Sequence, residues 1–163
     1  MAVERHQVGE SYSGMSTRWG ILYCPKTGFL TSPRKRWEKI SAVLDARKVQ
    51  YDMVQSENAE SVERLVKMML SNGYKTIIVV GGDSALNDAV NCLMMEEKSV
   101  RDEIALGVIP NGVMNDFARF WDFDEDKIEQ TIDWLIQRRQ RKVDLGCIRY
   151  TNAKRDRDRK SVV

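Results

Sequence analysis

The sequence has few of the residues on which histidine, zinc or disulfide chemistry depends. Its 163 residues include one histidine, His6, and three cysteines. The cysteines, Cys24, Cys92 and Cys147, are odd in number, widely spaced and form no C-x-x-C pair. We therefore expect reduced thiols in a cytosolic protein, and neither disulfides nor a zinc site. A Ser-His-Asp arrangement is not expected either, because the single histidine lies in a polar N-terminal stretch.

Long hydrophobic runs and an excess of charge of one sign are also missing. The longest apolar run, around Ile77 to Val80, is far shorter than the roughly 20 residues of a membrane span and is typical of a strand. The N-terminus has no apolar signal core, which argues against secretion. The net charge of +2 gives no case for a nucleic-acid partner. These absences favour a cytoplasmic protein. We expect one main domain, because 163 residues need no second core.

Segments with the apolar pattern of a strand alternate along the chain with segments that have the apolar spacing of a helix. Residues 1–17 are polar, rich in Gly and Ser, and predicted to be a disordered leader. Short apolar runs predict strands at 19–23, 51–55, 76–80, 104–109 and 143–150. Helical spacing predicts helices at 33–48, 59–72, 84–97 and 125–138, with a short helix opening at 115. This alternation indicates an α/β fold, a three-layer αβα domain over 18–150 with a mainly parallel sheet.

Three glycine turns follow predicted strands: CPKTG at 24–28, GGDS at 81–84 and PNG at 110–112. In a parallel sheet such turns share the carboxyl edge, where ligands bind. The next helix points free N–H groups and the positive end of its dipole into this space, which favours phosphate. A single turn of this kind is explained equally well by backbone geometry alone. The Rossmann spacing G-x-G-x-x-G and the P-loop G-x-x-x-x-G-K-[ST] are absent.

Two long motifs give the turns a more specific meaning. GGDSALNDA at 81–89 resembles the G-G-D-G-T-L-N-E-V motif of diacylglycerol and sphingosine lipid kinases, and PNGVMNDFAR at 110–119 resembles their P-x-G-T-G-N-D-F-A-R. CPKTG and VDLG, at 143–146, resemble the family's early turn and exit strand. The resemblance spans nearly all of the chain from Arg18 onward. It implies the N-terminal fold shared by NAD kinases, diacylglycerol kinases and phosphofructokinases.

The resemblance also implies an activity, cofactors and a set of site residues. The activity is transfer of the ATP γ-phosphate to a lipid hydroxyl in the full-length protein, with ATP and Mg²⁺ as cofactors and a lipid such as diacylglycerol as substrate. Asp83 is the implied catalytic residue, and Asp83 and Asp116 are the implied metal ligands. The implied cofactor-binding residues are Lys26, Thr27, Gly28, Gly81, Gly82, Asp83, Ser84, Asn87, Asp88, Gly112, Asn115 and Asp116. Helix capping is the alternative role for Asp83 and Asp116.

Departures from the family motifs motivate a second hypothesis. Ser84 and Ala85 stand where the family has Gly and Thr, and Val113 and Met114 stand where it has Thr and Gly. These changes are compatible with a non-catalytic relative that keeps the fold as a nucleotide-binding or regulatory module. A NAD-kinase-like or phosphofructokinase-like enzyme is a third hypothesis, which shares the G-G-D turn but does not predict NDFAR.

Expectations for the remaining segments are less specific. The basic segment Arg138 to Lys142 is expected to be a solvated helix end, with contact to an anionic membrane as the alternative. Phe120 and Trp121 are predicted to lie in the core. Residues 151–163 are interpreted as a charged tail that leads into a second, β-rich domain. The resemblance implies a peripheral position at the inner membrane surface, and exposed strand edges would permit a homodimer.

Overall fold

The computed structural model describes residues 17–25, 32–138, 140–152 and 155–162. At its centre is a parallel sheet of four strands in the order β2-β1-β3-β4. The strands are β1 (Trp19–Tyr23), β2 (Tyr51–Gln55), β3 (Thr76–Gly81) and β4 (Ala105–Pro110). The predicted leader, apart from Thr17, lies outside the described residues, and so do Lys26, Thr27 and Gly28.

Within the described ranges, six helices connect or follow these strands. They are α1 (Pro33–Ala46), α2 (Ser61–Ser71), α3 (Asp83–Met94), α4 (Lys98–Arg101), α5 (Asp116–Phe120) and α6 (Ile128–Ile136). The predicted helix at 84–97 is wrong in its length, because the chain leaves α3 at Met95 and then forms the separate short helix α4. The predicted helix at 125–138 begins three residues later, at Ile128.

Alternate side chains of β3 enter two separate apolar cores, as expected for a strand that is covered on both faces. Ile77 and Val79 pack with residues of α2 and α3 on one face of the sheet. Ile78 and Val80 pack with residues of α1 and α6 on the other face, where Ile132 is fully buried. The predicted three-layer α/β fold with a mainly parallel sheet is therefore confirmed.

A second, two-stranded sheet follows the main one in the chain. Strands β5 (Cys147–Asn152) and β6 (Arg155–Val162) form an antiparallel hairpin, and β6 contacts α3. The predicted strand at 143–150 starts four residues too early, because residues 143–146 have no regular structure. Their side chains are exposed, so no buried face favours an extended ladder there.

The prediction that Phe120 lies in the core is wrong. Its side chain is 79% exposed, whereas Trp121 is partly buried. Helix α5 has only five residues, and Ala118 is the one that it buries. Phe120 lies two positions further round this short helix, about 200° away, so it faces solvent.

Candidate functional site

The described parts of the three glycine turns meet at the carboxyl edge of the sheet. Gly81 of β3 pairs with Pro110 of β4, so the turns that follow these strands are direct neighbours. The first turn is held beside them, because the Cys24 amide donates to the Val80 carbonyl oxygen over 2.8 Å. The predicted common edge is confirmed for these residues. Lys26, Thr27 and Gly28 remain predictions, since they are outside the described ranges.

Gly82 and Gly112 bring the second and third turns into backbone contact. A Cβ placed on Gly112 would lie 2.3 Å from the Gly82 Cα, and one placed on Gly82 would lie 2.8 Å from the Gly112 Cα. Both distances are far below van der Waals contact between carbon atoms. Neither residue has a positive φ, so close approach explains these glycines better than backbone conformation does. The two motifs therefore form one packed unit.

Asn115 holds the third turn closed from inside. Its Oδ1 accepts from the Gly112 amide at 2.7 Å, and its Nδ2 donates to the Gly112 carbonyl oxygen at 3.1 Å. Nδ2 also lies 3.5 Å from a carboxylate oxygen of Glu125. Asn115 has a φ of 54°, in the left-handed region that asparagine tolerates well, and is only 4% exposed. The structure thus places it inside the site, as a residue that fixes the loop.

Asp83 joins the second motif to the third, because its side chain caps the helix that follows the third motif. Its carboxylate oxygens accept from the amides of Asp116 at 2.9 Å and Phe117 at 3.0 Å, the first two residues of α5. These are amide groups that a helix start leaves without an intrahelical partner. Capping was the alternative considered for Asp83, and the capped helix is α5, not its own helix α3. The catalytic and metal-binding roles of Asp83 stay predictions.

Asn111 is a site residue that the sequence reasoning missed. It is 3% exposed, its Nδ2 donates to the Cys24 carbonyl oxygen at 2.9 Å, and its amide donates to the Gly81 carbonyl oxygen at 2.9 Å. One residue therefore connects the ends of β1, β3 and β4. The available signal was an Asn-Gly pair directly after a buried strand, where a polar side chain must find backbone partners.

Helix α3 presents the candidate phosphate-binding surface. Its 12 residues begin at Asp83, directly after Gly82, and Ser84 in its first turn is exposed. The first amides of a helix have no intrahelical acceptor, and the helix dipole adds a partial positive charge at this end. Asn87 and Asp88 lie one turn further along, are partly buried, and each has an interaction within the protein.

The thiol beside this surface is kept protonated. Burial raises the pKa of Cys24, and the charge of Asp88 acts in the same direction, although a hydrogen bond with Ser56 lowers it. The thiolate is the reactive form of cysteine. Cys24 therefore contributes packing and backbone contacts to this edge and is not activated as a nucleophile.

Arg36 connects α1 to the far side of the third turn. Its guanidinium donates to the carbonyl oxygens of Pro110 at 3.1 Å and Glu125 at 2.8 Å. The Nε of Arg36 is buried and has no hydrogen-bond partner among the described residues. The side chain therefore supports the loop that carries Asn115 through one terminal nitrogen, Nη2.

The described residues bring together no group of three or more acidic, histidine or cysteine side chains that could hold a metal ion. Asp83 and Asp116 are nevertheless adjacent, because the Asp116 amide binds the Asp83 carboxylate. Mg²⁺ in nucleotide sites uses one or two carboxylates, with phosphate oxygens and water as its other ligands. Two neighbouring aspartate residues are consistent with that limited demand.

An open cleft of about 590 Å³ lies beyond Asn115, towards α6. Its lining includes the four acidic residues Asp122, Asp124, Glu125 and Asp126. The two cations in that lining are Arg119 and Lys127. A surface with more carboxylates than cations disfavours the phosphates of a nucleotide. The start of α3 is therefore the better candidate for an anion.

A mainly parallel α/β sheet whose carboxyl edge carries two interlocked glycine motifs defines a class of domain that binds ligands at that edge. The family model for the diacylglycerol kinase catalytic domain matches residues 18–148. The chain belongs to this family.

Individual relatives agree with the family match. The chain is 31% identical over 138 residues to a diacylglycerol kinase of Staphylococcus aureus, with 81% of this chain and 40% of the relative covered. It is 38% identical over 80 residues to a diacylglycerol kinase of Staphylococcus carnosus, with 49% of this chain and 24% of that protein covered. A crystal structure of a diacylglycerol kinase from Bacillus anthracis superimposes with a TM-score of 0.62 at 22% identity, covering 74% of this chain and 40% of that one. The chain spans less than half the length of these relatives.

Proposed function

We propose that this chain is the nucleotide-binding domain of an ATP-dependent lipid kinase. In the full-length protein it would transfer the γ-phosphate of ATP to a hydroxyl of a lipid such as diacylglycerol. The observation that supports this most is the union of the GGDS and PNG turns at the start of α3, through the Gly82 to Gly112 contact and the Asp83 cap. Family membership supplies the reaction class.

The phosphates would bind at the first turn of α3. Backbone amides at Asp83, Ser84 and Ala85 supply donors, and the 12-residue helix supplies its dipole. Mg²⁺ would be held by Asp83 and Asp116 together with phosphate oxygens, and would neutralise charge that develops on the transferred group. Phosphoryl transfer depends chiefly on such positioning and charge neutralisation. The alternative role for Asp83 is that of the base near the acceptor hydroxyl, in place of metal binding.

The lipid acceptor places the proposed reaction at a membrane surface. No helix in the described ranges is long and apolar enough to cross a bilayer. We propose a cytoplasmic protein that meets the inner membrane surface peripherally, with the acceptor held largely by a second, β-rich domain in the full-length protein. The proposal includes a homodimer formed through the open strand edges of the sheet.

A non-catalytic relative is the second candidate, and two observations favour it. Val113 and Met114 are 67% and 57% exposed in the turn where the family has a hydroxyl residue and glycine. Asp83 also uses both carboxylate oxygens to cap α5, which competes with metal binding and with proton abstraction. Such a protein would keep the fold as a nucleotide-binding or regulatory module, without turnover.

The substitution Ser84→Asp tests nucleotide binding with little risk to the fold. Ser84 is exposed in the first turn of α3, where an aspartate interacts favourably with the helix dipole. The same carboxylate would repel a bound phosphate. Titration with Mg-ATP by calorimetry should give measurable heat for the wild type and at least about a tenfold weaker affinity for Ser84→Asp. Repeating the titration with a chelator in place of Mg²⁺ tests whether nucleotide binding requires the metal.

Ser99→Asp is the matched control, because Ser99 is exposed in α4 near the opposite edge of the sheet. This variant should bind Mg-ATP as the wild type does. No heat and no thermal stabilisation at millimolar Mg-ATP in the wild type would contradict the proposal. If Ser84→Gly combined with Ala85→Thr then gains binding, the chain is a degenerate relative and the second candidate is correct.

A further inference from the structure

One arginine of α1 closes the segment that carries the third glycine turn. Nη2 of Arg36 donates to the carbonyl oxygen of Pro110 at 3.1 Å and to that of Glu125 at 2.8 Å. Pro110 is the last residue of β4, and Glu125 lies shortly before α6. A single nitrogen therefore joins the two ends of the segment 110–125, which contains the PNG turn and all of α5. We call this contact the Arg36 clasp.

The Arg36 clasp matters because the segment has few other anchors in the core. Bringing the ends of a long loop together costs conformational entropy, which contacts between the ends must offset. Helix α5 contributes little to this, since it has five residues and buries only Ala118. Hydrogen bonds from an ionised guanidinium are roughly twice as strong as bonds between neutral groups. The clasp is therefore a main constraint on where the segment lies.

Arg36 is nevertheless an inefficient way to stabilise the fold. Its Nε is buried without a hydrogen-bond partner among the described residues. A buried donor that lacks an acceptor is destabilising, and an apolar side chain of similar size would avoid this cost. An arginine at this position is therefore better explained by what its terminal nitrogen holds than by a gain in stability.

A short series of contacts leads from the clasp to the candidate phosphate surface. The Nδ2 of Asn115 lies 3.5 Å from a carboxylate oxygen of Glu125, and the same side-chain amide binds both the N–H and the carbonyl oxygen of Gly112. Gly112 is in backbone contact with Gly82, the residue directly before α3. A shift of the clasped ends would therefore displace the turn against which the start of α3 is packed.

We propose that Arg36 is a positioning residue for nucleotide binding. It acts through the backbone of the segment 110–125 and fixes the third turn against the start of α3, where the proposed phosphate site lies. The role depends on the proposed function for its ligand, but holding the turn requires no ligand. The clasp and its consequence for binding can therefore be measured separately.

Hydrogen exchange tests the clasp without nucleotide. Arg36→Met keeps an unbranched apolar side chain and removes every donor. In this variant the Gly112 amide, which donates to the Asn115 Oδ1 at 2.7 Å, should exchange at least about tenfold faster than in the wild type. Arg36→Lys keeps the charge and can donate to one of the two carbonyl oxygens, so its exchange rate should lie between those of Arg36→Met and the wild type.

Titration with Mg-ATP by calorimetry measures the consequence for the proposed site. It is performed at a temperature at which circular dichroism shows each variant to be folded, so that a loss of stability alone leaves the affinity unchanged. Arg36→Met should bind Mg-ATP about tenfold more weakly than the wild type, because the third turn is no longer fixed. Arg36→Lys should recover part of the affinity.

Arg34→Met is the matched control, because it removes the same charge from the same turn of α1. The Arg34 side chain is 87% exposed and pairs with Glu38 on its own helix. This variant should match the wild type both in exchange at Gly112 and in affinity for Mg-ATP.

Three results would overturn the proposal. The first is unchanged exchange at Gly112 in Arg36→Met, and the second is equal affinity of Arg36→Met and a wild type that binds Mg-ATP. The third is full affinity in Arg36→Lys with exchange as fast as in Arg36→Met, which would mean that Arg36 acts through its charge and not through position. If the wild type does not bind Mg-ATP, the proposed function fails, and exchange at Gly112 alone decides whether Arg36 positions the turn.

Discussion

Gly82 and Gly112 touch backbone to backbone: a Cβ on Gly112 would lie 2.3 Å from the Gly82 Cα. Each glycine belongs to a different motif and follows a different strand of the sheet. Their contact sets how far apart the start of α3 and the turn that leads to α5 can be. The glycines of these motifs are therefore needed for packing between the two turns, whether or not a phosphate is bound.

Gly112→Ala should destabilise the protein by about 3 kcal/mol, at the upper end of the usual cost of overpacking. The new methyl group would meet the Gly82 backbone and, at 2.8 Å, the Oδ1 of Asn115. Neither neighbour is the free end of a flexible side chain, so the turn itself would have to open. Urea unfolding followed by circular dichroism measures the change.

Gly73→Ala provides the comparison for this measurement. Gly73 has a φ of 81°, but a methyl group added there would meet nothing within 4 Å, so only backbone strain opposes the substitution. We expect a loss of about 1 kcal/mol. If the two variants lose the same free energy of unfolding, the backbones at Gly82 and Gly112 can move apart at little cost, which would contradict the packing argument.

The Asp83 cap gives a second prediction, which concerns α5. Asp83→Ala removes the acceptor of two amides at the start of this helix and should cost about 1 kcal/mol. Asp83→Asn keeps one oxygen and should lose about half as much. Hydrogen exchange should accelerate at the amides of Asp116 and Phe117 in Asp83→Ala. Unchanged protection at these two amides would show that the cap does not hold α5 in solution.

The sequence was sufficient to predict the layers of this fold because its periodicities are local. The β-branched run at Ile77 to Val80 and the apolar spacing of α2 each specify an element and its buried face without reference to the rest of the chain. Helix ends were harder to predict. The separate helix α4, with no buried residue, leaves no apolar pattern by which to recognise it.

The site could be located from the sequence but its contacts could not. Three glycine turns at strand ends indicate an edge, yet the partner of each side chain depends on which strands are adjacent. Asn111 links Cys24 to Gly81 across residues that are far apart in the chain, and Asp83 reaches 33 positions ahead to Asp116. Phe120 was misassigned for a related reason, because hydrophobicity alone does not tell a core ring from one on an exposed helix of five residues.

Asn111 gives a third prediction, because its side chain joins strand ends. Asn111→Ala would leave the partly buried Cys24 carbonyl oxygen without this donor and would open a small cavity, so we expect the free energy of unfolding to fall by about 2 kcal/mol. Asn72→Ala is the control, since Asn72 is exposed at the end of α2 and should change stability by less than about 0.5 kcal/mol. Urea unfolding of both variants makes the comparison. A loss for Asn111→Ala as small as that of Asn72→Ala would contradict the structural role.

The last prediction concerns alkaline pH and Cys92, which packs between α3 and α2. Burial raises the pKa of Cys92 from 9.0 to about 11, and its Sγ donates to the Glu63 carbonyl oxygen at 3.7 Å. The unfolded chain therefore loses this proton near pH 9 while the folded protein keeps it. The contribution of the protonated Cys92 thiol to the free energy of unfolding is therefore complete below pH 9, and it decreases as pH rises towards 11.

Unfolding in urea between pH 9 and pH 10 isolates this effect, because the pKa of Tyr51, raised from 10.0 to about 12, affects stability mainly at higher pH. Stability of the wild type should decrease over this interval, and that of Cys92→Ala should decrease less. The small cavity in Cys92→Ala lowers stability at every pH and does not alter the slope. Burial also raises the pKa of Cys24, but this thiol is present in both proteins and cancels in the comparison. Parallel slopes for the two proteins would mean that the Cys92 thiol titrates alike in the folded and unfolded chains.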